Sequence, residues 1–309
     1  VSRSLGPTAR WAVRALFLAA VLVCAVVGMR GRLHEVASAV LGVSTGDLLL
    51  AGLLVAGGLW LTAGTWLRLL AAYGHRLTTR EGSRIFFVGQ LGKYLPGSVW
   101  SLGAHAELTR PHRVPVRTTV ATGLLFLVVN LATAGLLAGA LLATGAADLP
   151  VPGPLGALGA VGCLLVLSPP VVGALGTRLA HGDDALRLTW VGALLLVARM
   201  SGTWLCYAGS VVVLAPEPGW ALLGLATAAF AAAYVVGVLV VVAPAGVGAR
   251  ELALVALLAP AVGVGHATAI ALVTRVLQTA ADFAAAALAT LWAAGYPAAA
   301  SRLSRPRAS

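Results

Sequence analysis

The chain has 309 residues, of which 60% are hydrophobic and only 10% charged, against roughly 25% charged in soluble globular proteins. With a mean hydropathy of +0.95, a soluble fold would expose far too much apolar surface, and the apolar stretches leave no length for a soluble catalytic domain. The net charge of +11 lies between apolar runs rather than along one face, so it points to membrane topology and anionic lipid, not to nucleic acid.

A hydrocarbon core about 30 Å thick needs about 20 apolar helical residues. In chain order the sequence predicts spans near Trp11–Met29, Asp47–Ala72, Thr118–Ala143, Leu155–Gly176, Thr189–Leu214, Trp220–Ala243 and His266–Ala294. Two further apolar segments, Ile85–Leu108 and Pro244–Val264, are interrupted by Pro and Gly. The first run follows Arg3, Arg10 and Arg14 and lacks a small-residue cleavage site, so it is expected to remain as a span. The expected fold is an all-α polytopic membrane protein of about seven or eight transmembrane helices with two Pro/Gly-broken or re-entrant segments. It forms one domain over 1–309, with short cytoplasmic tails at 1–10 and 297–309.

Loop charges orient this bundle. Arginines at the N-terminus, between Arg68 and Arg84, at Arg110, Arg113 and Arg117, and at Arg178 and Arg187 are expected in the cytoplasm. The loops with Asp148 and Glu217 are expected outside. The Arg30/Arg32 loop is an exception, since the alternation puts it outside. Basic flanks on both sides of Ile85–Leu108 mean that this segment enters the membrane and returns. The C-terminal Arg302, Arg305 and Arg307 favour a cytoplasmic tail, which requires Arg250–Val264 to cross. The location implied is the cell membrane, with the N-terminus cytoplasmic.

Charges within these spans are expensive and normally face protein or a watery cavity. Arg199 lies mid-run in Leu194–Leu214, and Arg275, Gln278 and Asp282 share one helix face in the last span. That stripe either lines a headgroup path or locks helices together, with Asp282 neutralising Arg199 or Arg275. The first broken segment carries Lys93, Tyr94, Pro96, Gly97, His105 and Glu107, and the second Pro244, Gly246, Gly248, Arg250 and Glu251. Non-helical backbone at membrane depth survives only when buried or lining a cavity, and half-helix N-termini suit anions. The bland alternative for each is a Pro kink closed by an ion pair, or, for Lys93, a side chain snorkelling to the interface. His105 and Glu107 are near-adjacent and able to titrate. Asn130 is expected to hydrogen-bond between helices. Trp60, Trp66 and Trp100 are expected as interface anchors. The three cysteines lie in apolar runs, and no metal-ligand spacing, nucleotide loop or nucleophile–base arrangement is present, so no cofactor and no enzyme activity is expected.

Gly89–Glu107 resembles the first signature of the lysylphosphatidylglycerol synthase transmembrane (flippase-like) family. Pro244–Leu258, containing Pro-Ala-Gly-Val-Gly-Ala-Arg-Glu, resembles its second, with Ala245 where the family usually has Gly. Arg275 through Asp282 is similar to the family's last helix. The resemblance implies a stand-alone membrane domain that moves an anionic phospholipid or polyprenyl-linked glycan through an intramembrane polar groove. The alternative is a non-transporting partner or scaffold of a glycosyltransferase or lipid synthase. Expected partners are therefore membrane lipid and, under the alternative, such an enzyme, with no nucleic acid.

Overall fold

The computed structural model describes residues 33–94, 100–181, 184–240, 246 and 248–295. The first expected span, Trp11–Met29, falls outside them, as do Pro96, Gly97 and Pro244. Eleven α-helices and no strands occur among the described residues. They are α1 (Leu33–Leu41), α2 (Thr45–Ala72), α3 (Thr79–Gln90), α4 (Trp100–Thr109), α5 (Val116–Ala143), α6 (Gly153–Val166), α7 (Pro169–Leu179), α8 (Trp190–Val213), α9 (Trp220–Leu239), α10 (Ala249–Val262) and α11 (Val264–Ala294). A 3₁₀ turn, Leu91–Tyr94, extends α3.

Five of these helices, α2, α5, α8, α9 and α11, are long and apolar enough to cross a membrane. The expected span Leu155–Gly176 is instead a bent pair, α6 and α7, meeting at 59°. The cause is local: Ser168 and Pro169–Pro170 stop one helix and start the next. Helix starts follow ordinary capping chemistry. The hydroxyls of Ser44, Thr78 and Thr189 accept the backbone N–H of Asp47, Glu81 and Gly192.

The faces are arranged for lipid. Leu49, Leu53, Val191, Leu194, Leu288 and Leu291 are exposed, while aromatic and small residues fill the interior. Buried threonines such as Thr122, Thr133, Thr227 and Thr274 donate to the carbonyl four residues back, so they add polarity without needing a partner helix. Close approach of α5 to α6 depends on Gly139, where a Cβ would meet the Gly156 carbonyl at 2.5 Å.

The basic loops gather at one end of the bundle. Arg187 N–H donates to the Ala72 carbonyl, Tyr73 Oη to the Gly176 carbonyl, and His75 Nε2 lies 3.2 Å from Asp184. Glu81, at the start of α3, is 3.7 Å from His112, just past α4. The α3–α4 segment therefore enters and leaves at this basic end. At the opposite end the 144–152 loop abuts α9, with the Ala146 carbonyl 2.1 Å from where a Cβ on Gly224 would be. From there α9 runs inward and α10 runs back alongside it, as Arg250 against Gly237 shows. After the one-residue turn at Gly263, α11 returns to the basic end, where Arg80 lies over the Trp292 ring. α10, with 14 residues, is not among the five helices long and apolar enough to cross a membrane.

Candidate functional site

Both interruptions meet α11 in its middle third. At 1.5 Å rise per residue, Arg275 lies about 16 Å from the start of α11 and Asp282 about 15 Å short of Trp292. Asp282 is reached from the first interruption: one carboxylate oxygen lies 2.5 Å from Lys93 Nζ and accepts the Tyr94 hydroxyl at 2.7 Å. The Tyr94 ring stacks on Phe283. Arg275 is reached from the second interruption, its guanidinium 3.5 Å from Glu251 Oε1.

The local chemistry of each interruption differs. At the first, Gly92 passes so close to the start of α4 that a Cβ would lie 2.6 Å from Ser101 N and 2.8 Å from its Cα. At the second, Gly246 and Gly248 adopt φ of +69° and +87°, a region that side-chain-bearing residues avoid. A Cβ on Gly246 would also lie 3.0 Å from the Cα and carbonyl oxygen of Gly237. Glu251 then closes the start of α10, its Oε2 accepting the Gly248 N–H at 2.6 Å.

Between the interruptions lies a cavity of about 470 Å³, walled by α2, α3, α4, α5, α8, α9, α10 and α11. Eight of the expected site residues line it: Lys93, Tyr94, His105, Gly246, Arg250, Arg275, Gln278 and Asp282. Arg250 is half-buried, with its guanidinium 4.6 Å above the Phe230 ring, a cation–π contact. Among the described residues no carboxylate lies within ion-pair distance of it. His105 stacks between Trp66 and Phe86, with Nε2 3.1 Å from the Phe86 carbonyl. Gly89 makes room for that ring, since a Cβ there would lie 2.2 Å from it.

Other expectations are corrected. Glu107 is exposed and 3.7 Å from Arg110, away from the cavity. Positions two apart on a helix face different sides, so only His105 of the two reaches the cavity. Arg199 is not on the cavity wall. Its guanidinium lies over Gly64 of α2, 2.0 Å from where a Cβ would be, and Arg68 is its charged neighbour. Asp282 therefore does not neutralise Arg199; it pairs with Lys93, and Arg275 pairs with Glu251. Trp66 is fully buried rather than an interface anchor, whereas Trp60 and Trp100 are about half exposed.

Several wall residues have little sequence signal: Trp204, Tyr207 and Tyr234 read as ordinary aromatics within apolar spans. The one available hint is polarity, since a Tyr hydroxyl deep in a span needs a partner. Asn130 supplies it for Tyr234, donating from α5 to α9 at 2.9 Å, as expected of an interhelical hydrogen bond.

The lysylphosphatidylglycerol synthase TM region family matches residues 11–286. The chain belongs to that family. The match runs through both interruptions and the middle of α11, so the cavity and its polar residues lie inside the family region. It is accordingly an integral membrane protein of the family. No curated protein matches the chain.

Proposed function

We propose that this family member is a flippase-like protein that moves an anionic phospholipid or a polyprenyl-linked glycan across the cell membrane. The headgroup passes through the central cavity while the tails stay in lipid, and the basic end with the N-terminus faces the cytoplasm. The observation that carries the reading is Arg250: a cation between two helix breaks, on the wall of the cavity, with no carboxylate within ion-pair distance among the described residues. An uncompensated buried charge is costly, and an anionic headgroup would offset that cost. Arg250 binds the phosphate in this reading. Lys93, Arg275 and Gln278 line its route, and Tyr94 and Asp282 hold the first break against α11.

The test is lipid scrambling in proteoliposomes with tail-labelled phosphatidylglycerol and a labelled polyprenyl phosphohexose as probes. Wild-type protein is expected to move at least one of them well above the protein-free rate. Arg250→Ala is expected to slow transport about tenfold or more at equal protein incorporation. Rates equal to protein-free liposomes for both probes would overturn the reading.

A further inference from the structure

The charges around the cavity define what kind of anion it accepts, an inference that rests on reading the cavity as a headgroup site. The wall and the residues paired directly behind it hold three cations, Lys93, Arg250 and Arg275, against two carboxylates, Asp282 and Glu251. Both carboxylates are committed. Asp282 is shared by Lys93 and Tyr94, and Glu251 is divided between Arg275 and the Gly248 N–H. His105 is counted as neutral, because it is buried between two aromatic rings with no anion beside it among the described residues. One positive charge, on Arg250, is left over.

We infer that the site selects a headgroup with a single negative charge, a phosphodiester with an uncharged substituent. It disfavours both phosphomonoesters and aminoacylated headgroups. Charge complementarity in a low-dielectric setting sets this preference. A phosphodiester carries one negative charge and matches Arg250. A phosphomonoester carries about −1.5 to −2 near pH 7 and brings an excess negative charge next to Asp282. An aminoacyl ester adds a cation beside Lys93, Arg250 and Arg275, where neither carboxylate is free to receive it. Two lipid sources share the favoured chemistry: a glycerophospholipid with a neutral polyol, and a polyprenyl phosphohexose.

Binding, read separately from transport, tests this. The purified full chain in neutral detergent is titrated with phosphatidylglycerol, phosphatidic acid, lysyl-phosphatidylglycerol, a polyprenyl phosphohexose and inorganic phosphate, and bound lipid is read by native mass spectrometry. At least one diester is expected to bind at least about tenfold more tightly than phosphatidic acid and lysyl-phosphatidylglycerol, between the roughly fivefold effect of one uncompensated charge about 4 Å away in water and the roughly thousandfold effect at an effective dielectric of about 20. Whichever diester binds more tightly identifies the source. Asp282→Asn adds one net positive charge and is expected to move the preference toward phosphatidic acid. Arg250→Ala is expected to abolish the diester preference, and Arg250→Lys to restore part of it. Because each readout is a ratio within one protein, a general loss of stability does not mimic it.

Equal or tighter binding of phosphatidic acid or lysyl-phosphatidylglycerol by the wild type, inorganic phosphate binding as tightly as either diester, or an unchanged ratio in Asp282→Asn would overturn the inference. Diester selectivity without transport would leave it standing and sink the flippase reading. Transport that favours monoesters or aminoacylated lipid would do the reverse.

Discussion

The two helix interruptions solve one problem in opposite ways. The first, between α3 and α4, is entered from the basic end, returns there, and presents a cation, Lys93, to a carboxylate on α11. The second, between α9 and α10, is approached from the other end and presents a carboxylate, Glu251, to an arginine on α11. Packing dominates at the first, where Gly92 meets the backbone of Trp100 and Ser101. Conformation dominates at the second, where two glycines take positive φ and a carboxylate closes the helix start. The difference teaches that one helix break can be held by close backbone packing and another by a side chain that caps the helix start. Only the second solution leaves an arginine, Arg250, over the cavity with no carboxylate within ion-pair distance among the described residues.

The strongest way to break this contrast is at the glycines. Gly92→Val is expected to cost more than about 3 kcal/mol, because its Cβ meets backbone that cannot swing away. Gly248→Ala, which strains a backbone held at φ +87°, is expected to cost about 1–3 kcal/mol. Monodisperse yield and thermal midpoint in mild detergent would rank the two; the reverse ranking would remove the distinction between packing and conformation.

The ion pairs sharpen it next. Glu251→Gln takes the carboxylate from half-buried Arg275 and loosens the α10 start, an expected loss of about 3 kcal/mol. Asp282→Asn strands Lys93, whose side chain is 35% exposed and able to reach water, so about 1–2 kcal/mol is expected. Thermal midpoints of the two variants check the order, and a larger loss in Asp282→Asn would show that the first break depends on charge after all.

The smallest effect lies at the base of the first break, where Asp184 ties His75, just before α3, to Thr118, near the start of α5. The hydroxyl of Thr118 holds the Asp184 carboxyl below its ordinary range, with burial acting the other way and His75 assisting. A depressed carboxylate stabilises the fold at neutral pH, fully above about pH 4, and that contribution fades as pH falls through the folded value. Wild type is therefore expected to exceed Asp184→Asn in thermal midpoint at pH 7 by the equivalent of less than about 1 kcal/mol. The gap should close on acidification; a gap that widens on acidification would give Asp184 the opposite role.

Much of this protein was legible from local chemistry. Span positions follow from runs of apolar residues, the interruptions from Pro and Gly within them, and the kinship of the basic loops from their arginines. The stripe Arg275, Gln278 and Asp282 follows from helical periodicity, and all three do reach the cavity. The bend at Ser168 was legible in principle, since the Pro pair is in the sequence, but an apolar window reads straight through it. Helix α1 is nine residues long, too short for a span-length window to register.

What the sequence determined by itself is what neighbours along the chain dictate: an all-helical membrane protein, its breaks, and which residue types occupy them. Tertiary structure alone decided the pairings. It gave Asp282 to Lys93, Glu251 to Arg275, a bed on Gly64 to Arg199 and a place over the Phe230 ring to Arg250. The physical reason is that in lipid no hydrophobic gradient ranks one helix face above another. Partners are set by small-residue close contacts and by which polar groups come within reach once the helices have packed.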